Sequence, residues 1–244
     1  MKGKVALVTG GSRGIGAAIV RALADKGFTV AVNCLKNTDR AERVLREASA
    51  EGGVFPADVR DGAQVAAMVQ AVENSLGPVV AAVHNANIAF PFGPFHALPW
   101  EQVSAKLLGE LGAFHALASA VVPGMIHRRW GRIVAVSSTL SRFAGEGFGA
   151  HCAAKSALDG ACRCLSRELG PMGITVNVVA PGLVETDATA HQPAEMKQAV
   201  AAATPLKRVG LPEDIGPAVA FLCSEEARWI TGQYLPLCGG ANTV

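Results

Sequence analysis

The chain has 244 residues, half of them hydrophobic, and a formal net charge of +2. That length can bury a sizeable core, as one α/β domain or two small ones, and so small and dispersed a charge gives no footprint for nucleic acid. The six cysteines, Cys34, Cys152, Cys162, Cys164, Cys223 and Cys238, form no C-x-x-C pair and no zinc spacing, so they read as reduced thiols of a cytoplasmic protein. His96, His115, His127 and His191 also lack metal-ligand spacing, and no metal is expected. The opening Met-Lys-Gly-Lys leads into an apolar run too short for a signal peptide. The longest uncharged stretch, 111–126, contains His115 and Pro123 and falls short of a membrane span. No membrane partner is expected.

Residues 5–9 read as a buried strand that breaks into the glycine-rich turn GGSRGIG at 10–16 and then into an Ala/Ile/Leu-rich helix. Strand, turn and helix in that order aim unpaired N–H groups and the positive end of a helix dipole at one point, which suits a phosphate. Thr9, Gly10, Gly14 and Gly16 give T-G-x-x-x-G-x-G, a dinucleotide-loop spacing, with an ordinary β–α turn as the plain alternative. Apolar β-type runs recur at 29–33, 53–57, 79–84, 132–137, 174–179 and 233–237. Helical stretches fall at about 14–26, 38–50, 61–76, 99–128, 149–170 and 212–224. Such alternation, with near-continuous apolar strands, means a parallel sheet covered on both faces. No linker or repeat divides the chain, so residues 1–244 are read as a single domain. The polar, Ala-rich segment 185–208 carries His191, Lys197, Lys207 and Arg208. It follows a strand end and reads as a substrate lid.

Four further stretches join the loop at 9–16: PADV at 56–59, HNAN at 84–87, Ser138 just past the strand IVAVS with Lys155 on the next helix, and NVVAPGLVET at 177–186. Together they resemble the classical short-chain dehydrogenase/reductase family. The resemblance continues through PEDI at 212–215 and TGQ at 231–233. The pattern looks most like 3-oxoacyl-[acyl-carrier-protein] reductases and polyketide ketoreductases. It implies a Rossmann-like, doubly wound parallel sheet of about seven strands with helices on both faces. It also implies cofactor contacts. Gly10, Ser12, Arg13, Ile15 and Gly16 would hold phosphates and ribose, and Asp58 and Val59 would flank the adenine. Asn85 and Ala86 match the middle of the family's N-N-A-G, and Lys155 would grip the ribose. Pro181, Gly182, Val184 and Thr186 would border the nicotinamide. The plain readings are a helix N-cap for Asp58 and a loop hydroxyl for Thr186. NADPH is the expected cofactor, because the second strand ends in Cys34 and Leu35 rather than an acid for the ribose hydroxyls of NAD. Arg13 and Lys36 stand near for a 2′-phosphate, with a solvated loop charge as the plain reading of Lys36.

Reductases of this family use an Asn-Ser-Tyr-Lys set. Ser138 and Lys155 fit it. The Tyr position, four residues before Lys155, is His151, which shares its helix face. The Asn position is Glu110, and the chain's single tyrosine, Tyr234, lies near the C-terminus. Imidazolium has a pKa of about 6.5, and a neighbouring ammonium lowers it. Glu110 within reach is expected to push the other way, favour imidazolium and restore a general acid. The plain readings are a lapsed site at His151 and a solvated helix face at Glu110.

The resemblance thus implies NADPH-dependent reduction of a 3-oxoacyl thioester, borne on a carrier protein, in fatty-acid or polyketide biosynthesis. Two alternatives stay open: non-redox acid–base chemistry on the same scaffold (an isomerase, dehydratase or cyclase), or a cofactor-binding subunit with a lapsed site. A homotetramer is expected through the helices that hold Glu110 to Ile126 and Ala150 to Leu169. Arg128 and Arg129, ending a helix near the expected pocket entrance, would meet an acidic carrier protein, with Lys207 and Arg208 as secondary contacts; the plain reading of the two arginines is cations favoured by the helix dipole at a C-terminus. Phe90, Phe92, Phe95 and Trp100 would line an acyl channel or pack under a loop.

Overall fold

The computed structural model describes residues 1–242. Seven strands, β1 (Val5–Val8), β2 (Thr29–Cys34), β3 (Gly52–Pro56), β4 (Val79–His84), β5 (Gly131–Val136), β6 (Ile174–Pro181) and β7 (Tyr234–Leu237), form one sheet in the order β3-β2-β1-β4-β5-β6-β7. Every neighbouring pair is parallel. The expected runs match these strands, with β6 continuing through Pro181. β1, β4, β5 and β6 are buried along their whole length, because helices cover both of their faces. Successive side chains point to opposite faces. Ala6 and Val8 pack with residues of α1 (Gly14–Asp25), α2 (Thr38–Glu47) and α7 (Pro212–Leu222). Val5 and Leu7 pack with residues of α3 (Gly62–Leu76), α4 (Trp100–Arg128) and α5 (Gly149–Leu169). The strand order reverses between β1 and β4, which opens a crevice beyond their carboxyl ends, where ligands of such sheets bind.

α4 positions the site. Its buried stripe is Val103, Lys106, Glu110, Ala113, Phe114, Leu117, Val121 and Met125. The spacing of three and four residues is that of one helix face, so two charged residues enter the interior with the apolar ones. Among the described helices α4 alone is long and apolar enough to cross a membrane. Its buried stripe packs instead against the sheet and α5.

Three expectations change. The segment 185–208 contains a helix, α6 (Ala194–Ala203), that sequence periodicity does not reveal, because none of its residues is buried. Asp61, not Asp58, caps α3: its carboxylate accepts from the N–H groups of Ala63 (2.9 Å) and Gln64 (3.1 Å). Arg128 and Arg129 are not at this chain's pocket entrance. Arg128 donates to the carbonyl of Val79 (2.8 Å), the first residue of β4, and Arg129 to that of Pro171 (3.1 Å). α4 runs antiparallel to the strands it covers, so its C-terminus lies at the end of the sheet away from the crevice.

Candidate active site

The turn after β1 is held from behind. Asn85 Nδ2 donates to the carbonyls of Thr9 (3.0 Å) and Gly10 (3.1 Å), while Thr9 Oγ1 accepts from the N–H groups of Asn85 and Ala86. Asn33 braces the other side: its Oδ1 accepts from Gly10 N at 3.4 Å, and its Nδ2 reaches the carbonyls of Phe55 and Ala57. A Cβ on Gly16 would stand 2.1 Å from the Gly10 carbonyl oxygen, so only glycine closes this turn. α1 begins with no side-chain cap and no acid in its first turn. Its N–H donors therefore have no side-chain acceptor, which is the state of a helix end built for an anion. These residues fit a dinucleotide. The amide of Asn85 is spent on shaping the cradle.

Beyond the loop, Thr186 lies over the start of α1. Its Cγ2 is 3.3 Å from the position of a Cβ on Gly14, and Thr189 Oγ1 holds the turn by accepting from Thr186 N and donating to the Val184 carbonyl. Val184 bridges to Gly210. Pro181 and Gly182 end β6 at the same end of the sheet. The Asp58 carboxylate is taken by Arg60, with a shortest contact of 2.6 Å, which holds it below the usual carboxylate range. Asp187 stands 2.9 Å from Arg40 and 3.9 Å from Arg13. Arg40 thus joins Arg13 as a cation near this end, a residue the sequence reading did not single out. Lys36 is exposed in the loop after β2.

Ser138 follows β5, and its Oγ accepts from Leu140 N at 3.2 Å. Tyr234 donates to the Ser138 carbonyl (3.2 Å) and lies under Arg142, so its hydroxyl is spent on the backbone of that segment. Lys155 Nζ donates to the Val136 carbonyl (2.9 Å) and to Glu110 Oε1 (2.6 Å). The other oxygen of Glu110 accepts from Lys106 Nζ at 2.5 Å, and Lys106 also donates to Asn87 Oδ1 (2.9 Å) and the Ile88 carbonyl (2.8 Å). All three hydrogens of the Lys106 ammonium thus have acceptors. Burial pushes the Glu110 carboxyl up, but the ammonium groups of Lys155 and Lys106 outweigh it and hold it well below the usual range. Burial lowers Lys106 to about 8 against the pull of Glu110. His84 Nε2 is 3.6 Å from Glu110, too long for a hydrogen bond, and burial keeps that ring neutral.

His151 is buried with Phe90 tilted against it, ring centroids 4.4 Å apart. Its Nδ1 has no hydrogen-bond partner. Burial lowers its pKa to about 3, Lys106 and Lys155 add to the fall, and Glu110 opposes it weakly. Glu110 favours imidazolium as expected, but too weakly to restore it against burial and the two lysines. Both of its oxygens are occupied by lysines, and the second lysine leaves the cluster one positive charge in excess.

A family model described as enoyl-(acyl carrier protein) reductase matches residues 10–242. Nodulation protein G of Azospirillum brasilense is 38% identical over 99% of both chains. The 3-oxoacyl-[acyl-carrier-protein] reductase FabG of Pseudomonas aeruginosa is 35% identical over 98% of both. Among solved structures, YwfH, an NADPH-dependent reductase involved in bacilysin biosynthesis, superposes with a TM-score of 0.92 at 28% identity over the whole of both chains. The chain belongs to the short-chain dehydrogenase/reductase family. As in the open sheets of that oxidoreductase family, the loop of Gly10, Ser12, Arg13, Ile15 and Gly16 and the ends of β4, β5 and β6 converge on the crevice. Lys155, Glu110 and Lys106 are hydrogen-bonded together at the end of β5, with Ser138 just past that strand and His151 one turn before Lys155 on α5. The signal for Lys106 was its place on the apolar stripe of α4, one turn before Glu110.

Proposed function

We propose that this short-chain dehydrogenase/reductase uses NADPH to reduce the ketone of a 3-oxoacyl thioester, carried on an acyl-carrier protein, with His151 where family reductases have tyrosine. The observation that carries the reading is the buried pair of Lys155 and Glu110 at the end of β5, with Ser138 just past that strand and His151 one turn before Lys155 on α5, at the same end of the sheet as a braced glycine loop whose helix start is left open to an anion. The relatives named as 3-oxoacyl-[acyl-carrier-protein] reductases support the substrate class, and the NADPH-dependent neighbour supports the cofactor. Arg13, Arg40 and Lys36 would meet a 2′-phosphate. Asp58 and Val59 would lie beside the adenine, and Pro181, Gly182, Val184 and Thr186 beside the nicotinamide. The reduced state of all six cysteines accords with a cytoplasmic protein.

When bound, the cofactor supplies a hydride to the ketone carbon. Ser138 orients the carbonyl by hydrogen bonding its oxygen. His151 acts as a neutral imidazole, with the proton on Nε2, because an unpaired buried acceptor at Nδ1 costs less than an unpaired donor. A neutral histidine can polarise a carbonyl in this way, as it does in triosephosphate isomerase. The excess positive charge of Lys106 and Lys155 over Glu110 stabilises the oxyanion as it forms. Lys155 has two N–H groups taken by Glu110 and Val136. The third supplies the proton that completes the alcohol, and solvent restores it.

The test is NADPH oxidation with a panel of 3-oxoacyl thioesters, free and carrier-bound. Turnover is expected in wild type. His151→Phe should bind NADPH and turn nothing over. A neutral, partnerless His151 is also what a lapsed site would show, and NADPH binding without turnover of any carbonyl would establish that second reading. Conversion of a substrate without cofactor consumption would point to non-redox chemistry.

A further inference from the structure

Lys106 is a buried lysine that touches no reacting atom of the proposed chemistry, on which its charge acts only at a distance. It has no exposed surface and cannot reach a substrate. What it touches is the Glu110 carboxylate, the Asn87 side chain and the Ile88 carbonyl. Asn87 and Ile88 lead directly into Phe90, the ring against His151. Lys106 therefore binds, at once, the carboxylate nearest the site and the segment that walls His151.

The groups around His151 can be taken element by element. α5 contributes Lys155, and α4 contributes Lys106 and Glu110, whose far side meets the neutral His84 of β4. The segment after β4 contributes the apolar Phe90, itself against Phe148. Glu110 is the one anion in that shell. Its Oε1 lies on Lys155 and its Oε2 on Lys106, so neither oxygen is left to accept from imidazolium. With a single lysine on Glu110, one oxygen would be open and the cluster would have no net charge.

On the reading that His151 faces the substrate oxygen, we infer that Lys106 is a positioning residue. It occupies the second oxygen of Glu110, offsets the carboxylate's charge with its own, and so, inside a buried pocket, keeps the ring a neutral hydrogen-bond donor. Its role is exerted through Glu110 and through the wall residue Phe90. A site built this way needs no imidazolium at any stage, and its rate would not follow histidine titration.

The experiment is a nitrogen NMR titration of His151 in wild type and in Lys106→Met, in the whole protein, beside pH–rate profiles of both. In wild type the His151 ring should stay neutral, as the Nε2–H tautomer, from pH 5 to pH 9. In Lys106→Met its protonation midpoint should rise above pH 5, into the range where wild type shows none, and any reductase activity should gain a limb at the new midpoint. Lys106→Arg, which keeps the charge, should restore the wild-type signature. A Lys106→Met ring that stays neutral down to pH 5, as in wild type, overturns the inference. Should that variant not fold, the wild-type titration still decides, because an ordinary midpoint near 6 to 7 in wild type also overturns it. The NMR arm needs no substrate. Failure of the reductase reading would appear as absent NADPH oxidation with the His151 titration intact, whereas failure of the inference would appear in the titration itself.

Discussion

Glu110 has both carboxylate oxygens on lysine ammonium groups, inside a core where none of the triad is more than marginally exposed. Removing one partner of a buried ion pair leaves an uncompensated charge and costs about 3–5 kcal/mol. Glu110→Gln leaves two ammonium groups together and should lose stability on that order in urea unfolding at pH 7. Lys106→Met leaves Glu110 and Lys155 paired one to one, and should lose clearly less. Equal losses would show that the triad is not the balance described. The pH dependence follows from Lys106, which burial pushes down to about 8. Below that pH it is charged and supports the oxyanion. As pH rises through about 8 the charge is lost, so the reductase rate should fall there and stay level between pH 5 and 7. A fall across pH 5 to 7 would mean that imidazolium is the acid after all. At this scale the sequence was partly legible. Ser138, His151, Lys155 and Glu110 could be placed by their fixed offsets from one another. Lys106 belongs to no such set, and a lysine on a helix is ordinarily solvated. Only its phase with Val103, Ala113 and Phe114 marked it as buried.

Among the elements, the β1–α1 loop and the start of α2 would decide between NADPH and NADH on the proposed reading. The end of β2 offers no acid, and Arg40, in the first turn of α2, already holds the carboxylate of Asp187 at 2.9 Å. A 2′-phosphate would compete for the same guanidinium, with more charge and more acceptors than the carboxylate it displaces. NADPH should bind more tightly than NADH. Arg40→Ala should weaken NADPH by up to about tenfold, the lower end of what a charge-assisted contact is worth at an exposed site, while NADH changes little. Fluorescence titration of both cofactors checks this, and equal losses for the two would remove Arg40 from the phosphate site. The elements themselves were legible where they are buried. The valine- and alanine-rich runs mark β1, β4, β5 and β6 because those strands are covered on both faces. α6 escaped because a helix that buries none of its residues leaves no periodic apolar signal. The direction of α4 relative to the strands, which sends Arg128 and Arg129 away from the crevice, is a property of topology that spacing along the chain does not carry.

For the whole molecule, the outward side of α4 sets the last prediction. α4 and α5 lie side by side, and the inner stripe of α4 is satisfied by the sheet. On its outer side Leu108 is 73% exposed, with Leu111 and Ile126 at 38% each. A helix apolar beyond its buried stripe calls for a second partner, and a closed, symmetric self-association is the commonest way to supply one. The tetramer implied by the family pattern would use this face. Leu108 and Leu111 lie within a turn of Lys106 and Glu110 on the same helix, so a neighbour pressed on the outer face would also fix the helix that holds the triad. Light scattering at micromolar concentration should therefore find a tetramer. Leu108→Glu with Leu111→Glu should release monomers that keep the fold, as judged by circular dichroism, but lose most of the reductase rate, because α4 then lacks its outer support. A wild-type monomer would refute the assembly. A monomeric double variant with full activity would leave the assembly standing and sever its link to the site.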